Sequence, residues 1–465
     1  MARAERRKPL RSILGMAMAL FVAGCSVGPD YSGPAFPFAS TFSSGRAGVP
    51  VLLDNAAWWK KFNDPVLDDL VEVALRENLD LALAKERVTE AQALVGTVPD
   101  PASITGNISA GRRGGRNLPT DNGTEASLGL SWLFDPYGGR AAEIRSAEGR
   151  VDVADAELDA ARLLLLSNLA IAYIDLRYSQ RSLQLRRQEL GSRRKTLDLV
   201  QQMRDANAAT QLDVVRAEAL VSETQSLIPG IEASVRVQQN RIAVLLGQRP
   251  GSPSDALRGA GRGQPLARMP ADIGIPADLL RNRPDIRISE RIYYVAVADI
   301  GAAQADLYPA LSLGGQISLS SYGSITGMDY FFGPTLRLPA LPNGPQKAEV
   351  RARESRARQA LTGWQASVLA AIEQVENALV EYSGSRASVT SARKTVRLYD
   401  ESVGLTRTLI AQDGATVRDL LDAEQSVAVA NFLLSQNLRQ LGRNFVILNV
   451  SLGSGNGYEG AEKAG

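Results

Sequence analysis

The stretch AATQLDVVRAE at residues 208–218 recurs later in the chain as GATVRDLLDAE at residues 414–424. Each copy lies between two helical patterns. In each half, two segments of alternating polar and apolar residues come before these helical patterns. The order of a helix, two strands, a very long helix, a break and another helix therefore occurs twice. The sequence predicts an internal two-fold repeat, with a Pro-, Gly- and Ser-rich connector between the halves.

The long helices carry heptad patterns, which indicate close packing against neighbouring helices. In the second half, apolar residues recur every seven positions at Leu361, Val368, Val375, Tyr382, Val389, Val396 and Val403. In the first half, apolar residues recur every seven positions over 144–165 and again over 169–197, and a spacing of four residues separates the two series. Such a stutter locally unwinds a left-handed coil. A helix over 140–205 would be about 100 Å long at about 1.5 Å per residue. No compact domain holds a helix of that length.

The alternating segments predict four β-strands with one apolar face and one face of small polar residues. Leu128, Leu130 and Trp132 share one face of the second strand, and Ser127, Gly129 and Ser131 share the other. A transmembrane β-barrel has this pattern, although a small soluble sandwich shows the same alternation. Four strands cannot close a barrel, since the smallest barrels have about eight, so several chains would have to pool their strands. Residues 111–123 and 322–330 are expected to be the loops that connect the strands.

The composition excludes most enzyme classes. The chain contains no histidine, which removes His-based acid–base catalysis, Ser–His and Cys–His nucleophiles and His-ligated metal sites. Cys25 is the only cysteine, so disulfides and thiolate metal clusters are excluded as well. We predict no catalytic residue, no metal site and no cofactor, and we do not expect an enzyme.

The N-terminus has the features of an export signal. A basic segment over 3–11 precedes a short apolar stretch over 13–23, which is too short to span a bilayer comfortably. It ends in Val22-Ala23-Gly24-Cys25, which resembles the lipobox of bacterial lipoproteins, where a diacylglycerol and further acyl chains such as palmitate modify the cysteine. Residues 1–24 carry a net charge of +4 in a chain of +2, so the remainder carries −2. This near-neutral body gives no reason to expect nucleic-acid binding.

The chain as a whole resembles the outer membrane factor family, the TolC-like exit ducts, and within it the lipoprotein branch of tripartite resistance–nodulation–division efflux systems. The resemblance covers essentially the whole mature chain. The resemblance rests on the segments 25–31, 58–65, 275–286 and 307–309 together with the two repeated stretches. It implies a mixed α and β fold in which a homotrimer builds one outer-membrane β-barrel, four strands per chain, continuous with a long periplasmic α-helical barrel.

The resemblance and the residue patterns together predict six segments. These are a lipoprotein signal peptide at 1–24, a lipidated N-terminal segment at 25–64, a first repeat at 65–250, a connector in the equatorial region at 251–275, a second repeat at 276–452 and a flexible C-terminal tail at 453–465. The implied function is a passive, water-filled conduit for small molecules such as drugs. Its implied partners are a periplasmic membrane-fusion adaptor, an inner-membrane resistance–nodulation–division transporter and outer-membrane lipid. The implied location is the outer membrane, with the chain anchored by lipid on Cys25 and extending into the periplasm.

The resemblance also predicts a gate at the periplasmic helix tips, where each half reverses direction. In the family, aspartates just after the second turn form a constriction, and by position they correspond to Asp419 and Asp422. Asp213 and Arg216 occupy the repeat-related places. Three-fold symmetry would turn one inward carboxylate per chain into a ring that favours cations. We further expect Arg216 or Arg418 to pair with a neighbouring aspartate and hold the resting tip closed, although each of these charges also suits an ordinary exposed helix pair.

Two other functions remain open at this point. Within the same class, the duct would serve type I protein secretion or metal-ion efflux. In a different class, the chain would be a non-channel coiled-coil lipoprotein of the envelope, and it would then behave as a soluble monomer once Cys25 is removed.

Overall fold

The computed structural model describes residues 27–35, 55–115, 118–251, 255–259, 263–267, 282–323, 325–410, 412 and 414–455. The helices are numbered in chain order, with α1 being a 3₁₀ helix: α1 Asn55–Phe62, α2 Pro65–Glu77, α3 Leu79–Val95, α4 Gly139–Asp205, α5 Gln211–Leu245, α6 Asp255–Arg258, α7 Pro284–Ala305, α8 Gly344–Ile410 and α9 Val417–Ser451. The strands are β1 Ala102–Gly115, β2 Leu118–Phe134, β3 Ala310–Tyr322 and β4 Ile325–Arg337. The fold is therefore mixed α and β, as predicted.

The two longest helices have the same length, since α4 and α8 contain 67 residues each. The helices that follow them, α5 and α9, contain 35 residues each. The first residue of α4 lies one position from the predicted start and the last residue coincides with the predicted end. Among the described residues, no helix is both long enough and apolar enough to cross a membrane.

The four strands form one antiparallel sheet in the order β1-β2-β3-β4. Trp132 pairs with Ala102 on one side and with Leu313 on the other, and its indole is 47% exposed. Ile108 and Tyr330 are 86% and 73% exposed. A face of large apolar side chains is thus uncovered along the sheet.

The strands continue through the two segments that the sequence analysis assigned to loops. β1 and β2 pair as far as Arg113 with Asp121, and beyond a register shift Gly115 pairs with Leu118. β3 and β4 pair up to Tyr322 with Ile325. The prediction of loops over 111–123 and 322–330 was wrong, because backbone pairing extends a hairpin whether or not its side chains keep the polar–apolar alternation.

The chain divides into two compact units. Unit 1 consists of Met1–Ala35, Arg87–Asp155 and Ile288–Ala366, and unit 2 of Phe36–Glu86, Ala156–Arg287 and Ser367–Gly465. Unit 1 contains the sheet and a small cluster of Val297, Ile300 and Ala357, against which Tyr31 packs. Long helices therefore contribute residues to both units.

Unit 2 has a core in which the N-terminal α1 segment, α4 and α9 meet. Trp58, Leu166 and Phe445 are all fully buried there, and the ring centroids of Trp58 and Phe445 lie 6.4 Å apart. Ser454 is 1% exposed, and a side chain at Gly455 would meet Trp58 at 2.9 Å. The described residues 453–455 are therefore packed in this core, and the rest of the predicted flexible tail, 456–465, lies outside the described residues.

A polar network anchors the connector to α4 in the same unit. Arg177, which is 2% exposed, donates from Nη1 to the Gly259 carbonyl at 2.9 Å and from Nε to the Tyr173 hydroxyl at 3.0 Å. The Tyr173 hydroxyl donates in turn to Asp64 Oδ2 at 2.6 Å. Asp64 is also the N-cap of α2, where it accepts from the Val66 amide. One guanidinium thus connects α4, the start of α2 and the connector.

Candidate functional site

The two predicted tips lie at the ends of helix pairs that share one apolar cluster. The chain turns between α4 and α5 and again between α8 and α9. Val200, Val214, Val417 and Leu421 form the buried cluster, so residues of α4, α5 and α9 meet there. The first turn contains Asn207 at a φ of 59°, a left-handed conformation that asparagine adopts more readily than most residues. The tertiary structure therefore brings the two repeated stretches together.

Each tip turn is followed by a capping box. Thr210 and Thr416 are the N-caps of α5 and α9. The Asp213 carboxylate accepts from the Thr210 amide at 3.0 Å and from its hydroxyl at 2.6 Å. Asp419 makes the same contacts with Thr416 at 2.8 and 2.6 Å. Two of the predicted gate aspartates thus satisfy backbone donors at the start of their own helices.

These hydrogen bonds lower the pKa of both aspartates. The Thr210 hydroxyl and amide are the main cause for the Asp213 carboxyl, and those of Thr416 are the main cause for the Asp419 carboxyl. A carboxylate that accepts several hydrogen bonds is favoured in its charged form. Both tip aspartates therefore remain negatively charged at any pH near neutrality.

The capping boxes predict a pH dependence of tip stability. Because the folded-state pKa lies below the ordinary value, the two carboxylates stabilise the fold above that value of about 3.9. Their contribution disappears as the pH falls through the lowered pKa. We expect the thermal midpoint of the wild type to exceed that of a T210A/T416A variant by a constant margin from pH 7 down to about pH 4. Thermal unfolding followed by circular dichroism checks this, and a margin that already shrinks between pH 7 and pH 5 would contradict it.

The remaining predicted gate residues form only local pairs within their own helices. Arg216 lies 3.9 Å from Asp213, three residues earlier. Arg418 lies 3.8 Å from Asp422, and both side chains are 75% exposed. Exposed pairs at this spacing contribute about 0.3–0.5 kcal/mol. Within a single chain, neither arginine joins one helix to another through these pairs.

A residue that the sequence analysis did not single out makes the contacts between helices. Glu424 of α9 has a side chain that is 7% exposed, and its Oε1 accepts from Arg407 Nη2 of α8 at 2.9 Å. The Thr196 hydroxyl of α4 lies 3.1 Å from each carboxylate oxygen, and the Ser192 hydroxyl lies 3.3 Å from Oε1. The next residue, Gln425, accepts from Arg193 of α4. One carboxylate therefore connects α4, α8 and α9 close to the tip.

The helical periodicity contains a signal that points to Glu424. It follows Val417 by seven residues and Leu421 by three, and all three side chains are buried. A charged residue on the apolar face of a helix needs a partner. The place in the repeated stretch does not by itself predict burial of a glutamate, because Glu218, which corresponds to Glu424 in the first repeat, is exposed.

The structure shows no group suited to a metal ion among the residues it describes, since no three Cys, Asp or Glu side chains are arranged to hold one. Cys25, the predicted lipidation site, lies outside the described residues, as does the whole predicted signal peptide.

Comparison with known proteins agrees with this architecture. Nodulation protein T of Rhizobium leguminosarum bv. trifolii is 36% identical over 460 residues, covering 96% of this chain and 97% of that protein. The cation efflux system protein CusC of Escherichia coli is 28% identical over 465 residues, covering 95% of this chain and 99% of that protein. The structure of the outer-membrane channel OprN superposes with a TM-score of 0.83 at 29% identity, covering 93% of this chain and 100% of that chain.

The sequence model of the outer membrane efflux proteins matches the chain twice, over residues 70–248 and 275–454. The two matches together span most of the 465 residues. The protein belongs to the outer membrane efflux protein family.

Proposed function

We propose that this protein is the outer-membrane exit duct of a tripartite efflux pump, a passive homotrimeric channel for small molecules such as drugs. As an outer membrane efflux protein, the chain is a channel of the outer membrane and not an enzyme. The single observation that carries the more specific proposal is the difference between the two faces of the sheet. Most of its large apolar side chains are exposed on one face, and its other face is mainly small and polar, with Phe331 and Leu133 as large apolar exceptions.

The trimer is supported by the two free edges of this sheet. β1 and β4 each have one neighbouring strand in the described part of the chain, which leaves the outer backbone groups of both strands without a ladder partner. Unpaired backbone groups cost several kcal/mol each in a membrane, so only closed barrels are stable there. Three copies bring the number of strands to twelve, enough for a closed barrel. The double match of the family model and the equal lengths of the paired helices support the proposed two-fold repeat.

The proposed partners follow from the family and the sequence. An inner-membrane resistance–nodulation–division transporter would supply the energy, and a periplasmic membrane-fusion adaptor would connect it to the helix tips. The lipobox supports a lipid anchor on Cys25 in the outer membrane. Neither nucleic acid nor a cofactor is part of the proposal.

The gate is proposed at the tips, with Asp419, Asp422 and Asp213 as the constriction. The hydrogen bonds from Thr416 keep Asp419 charged, and Asp422 is three-quarters exposed. Three symmetry-related copies of such carboxylates would narrow the lumen and favour cations. In this proposal Arg216 and Arg418 exchange their local pairs for pairs with a neighbouring copy when the tip opens or closes.

Planar-bilayer conductance tests the duct and the gate together. We expect discrete cation-preferring openings from the wild type, and a larger open fraction with weaker cation preference from a D419A/D422A variant. Asp419 also caps α9, so T416A serves as the matched control, because it removes the hydroxyl of the same capping box but leaves both carboxylates. Unchanged conductance and selectivity in the double variant would contradict the gate, and a silent, monomeric wild type would contradict the duct.

Metal-ion efflux is the second candidate function, and the similarity to a cation efflux protein favours it. Deletion of the chain in its host distinguishes the two candidates. Sensitivity to metal salts alone would favour metal-ion efflux, whereas sensitivity to organic drugs alone would favour the first proposal.

A further inference from the structure

We propose that a cavity between α4, α8 and α9 binds a small organic anion, that Arg193 receives the carboxylate of this anion, and that the bound anion holds the three helices together near the tips. The binding site is a feature of unit 2 alone. Only its effect on opening and closing rests on the proposed function.

The cavity has the size and the lining of a site for a small molecule. Its volume is about 360 Å³, and residues of α4, α8 and α9 line it. Leu185, Val427 and Phe432 contribute apolar walls, while Asp400 lies at the exposed side. Pockets of a few hundred Å³ that combine apolar walls with a few charged groups are typical of sites for small organic ligands.

The guanidinium of Arg193 lines this cavity with donors that are not used. Arg193 is 3% exposed, and its Nη2 donates to Glu189 Oε1 at 3.4 Å and to Gln425. Its Nε and Nη1 are buried and have no hydrogen-bond partner among the described residues. A buried charged group without an acceptor is costly, and a carboxylate can accept from two donors of one guanidinium at once. The unused donors therefore point to an anionic ligand.

The charges around the cavity leave an excess of one positive charge. Arg186 donates to Glu189 at 2.7 Å, and Arg407 donates to Glu424 at 2.9 Å. Each of the two buried glutamates thus has an arginine of its own, and Arg193 is the third guanidinium. The exposed acid at the rim is screened by water and salt. A ligand with one negative charge balances the site better than a neutral or cationic ligand.

Gly404 provides a way to fill the cavity without changing a charged residue. It lines the cavity from α8, and a Cβ atom added there would meet no other atom within 4 Å. A leucine at this position is therefore expected to occupy the open space that a ligand would use. Gly384 lies twenty residues earlier on α8, about 30 Å away along the helix, and its Cβ position is also free. G384L is thus the matched control for G404L.

A ligand in this cavity contacts three helices at once. It binds only while α4, α8 and α9 keep their positions, so it stabilises this arrangement by mass action. These are the same helices that Glu424 connects. We therefore expect the bound anion to lower the open fraction of the channel.

The test compares 2-naphthoate with 2-naphthamide, which has the same ring system but no charge. With purified protein in detergent, 2-naphthoate should raise the thermal midpoint of the wild type in a concentration-dependent way, and 2-naphthamide should not. The apparent dissociation constant should rise about tenfold or more in R193Q and in G404L, since the loss of one charge-assisted hydrogen bond is enough for a tenfold change. G384L should bind as the wild type does. In single-channel recordings, 2-naphthoate should lower the open fraction of the wild type but not that of G404L.

The possible results separate the binding site from the channel. Equal shifts with both probes, or the wild-type shift in both R193Q and G404L, would overturn the anion site. Binding that leaves the open fraction unchanged would overturn its effect on the tips. Absence of any wild-type conductance from a monomeric protein would instead overturn the proposed function, and the midpoint shifts would still decide the binding site.

Discussion

Replacing Glu424 with alanine is expected to raise the open fraction of the channel more than any single substitution at the predicted gate aspartates. The Glu424 carboxylate is almost fully buried and accepts hydrogen bonds from Arg407 and Thr196 on two other helices. The contacts of Asp419 and Asp422 with described residues, in contrast, lie within α9 and its own N-cap. Hydrogen bonds to a charged group contribute about 1.5–3 kcal/mol each. The contact with Arg407 is weakened by solvent because that side chain is 56% exposed, so the loss of both bonds should weaken the tip by roughly 2–4 kcal/mol.

Two measurements check this expectation. Single-channel recording gives the open fraction, and amide hydrogen exchange reports whether the first turns of α9 open more often. E424Q should show a smaller effect in both, because an amide keeps a hydrogen bond to Thr196 but loses the charge that faces Arg407. The matched control is E401Q, an exposed acid on α8, which should behave as the wild type. An E424A channel with wild-type open fraction and exchange would show that the carboxylate does not hold the tip.

Replacing Arg177 with methionine is expected to destabilise unit 2 more than any surface substitution. The guanidinium is buried and donates to the Tyr173 hydroxyl, to Gln180 and to the Gly259 carbonyl. Methionine keeps much of the volume but leaves these buried acceptors without a donor. Unsatisfied buried groups cost about 1–3 kcal/mol each, so a total loss of roughly 3–5 kcal/mol is expected, close to the cost of breaking a buried ionic contact.

The readouts are the thermal midpoint in detergent and protease cleavage in the connector. We expect a midpoint several degrees lower and faster cleavage near residues 255–267, because the connector loses the hydrogen bonds that Arg177 donates and keeps that from Gln180 of α4 to the Leu257 carbonyl. R181M is the matched control, since Arg181 lies one turn further along α4 and donates an exposed hydrogen bond to the nearby Gln184. The thermal midpoint of Y173F should lie between those of R177M and R181M, because this substitution removes only the hydroxyl that bridges Arg177 and Asp64. A wild-type midpoint in R177M would contradict the structural role of the network.

Much of the fold could be predicted because its signals are local. The heptad series placed α4 within one residue, since helix periodicity depends on neighbours three and four positions away. The strand hairpins were longer than predicted, because pairing between Tyr322 and Ile325 depends on the partner strand and not on side-chain alternation. The trimer, the lipid anchor and the roles of Asp419 and Asp422 stay predictions.

The sequence by itself determined the order of the main elements and the position of the two tips, because each depends on residues within a turn or two of one another. Only the tertiary structure decided that Glu424 joins three helices and that Arg177 joins α4 to the connector. The contact between Thr196 and Glu424 spans 228 positions of sequence, and that between Arg177 and Gly259 spans 82. Periodicity shows which face of a helix is buried, but the partner of a buried charge depends on which helices come together in space.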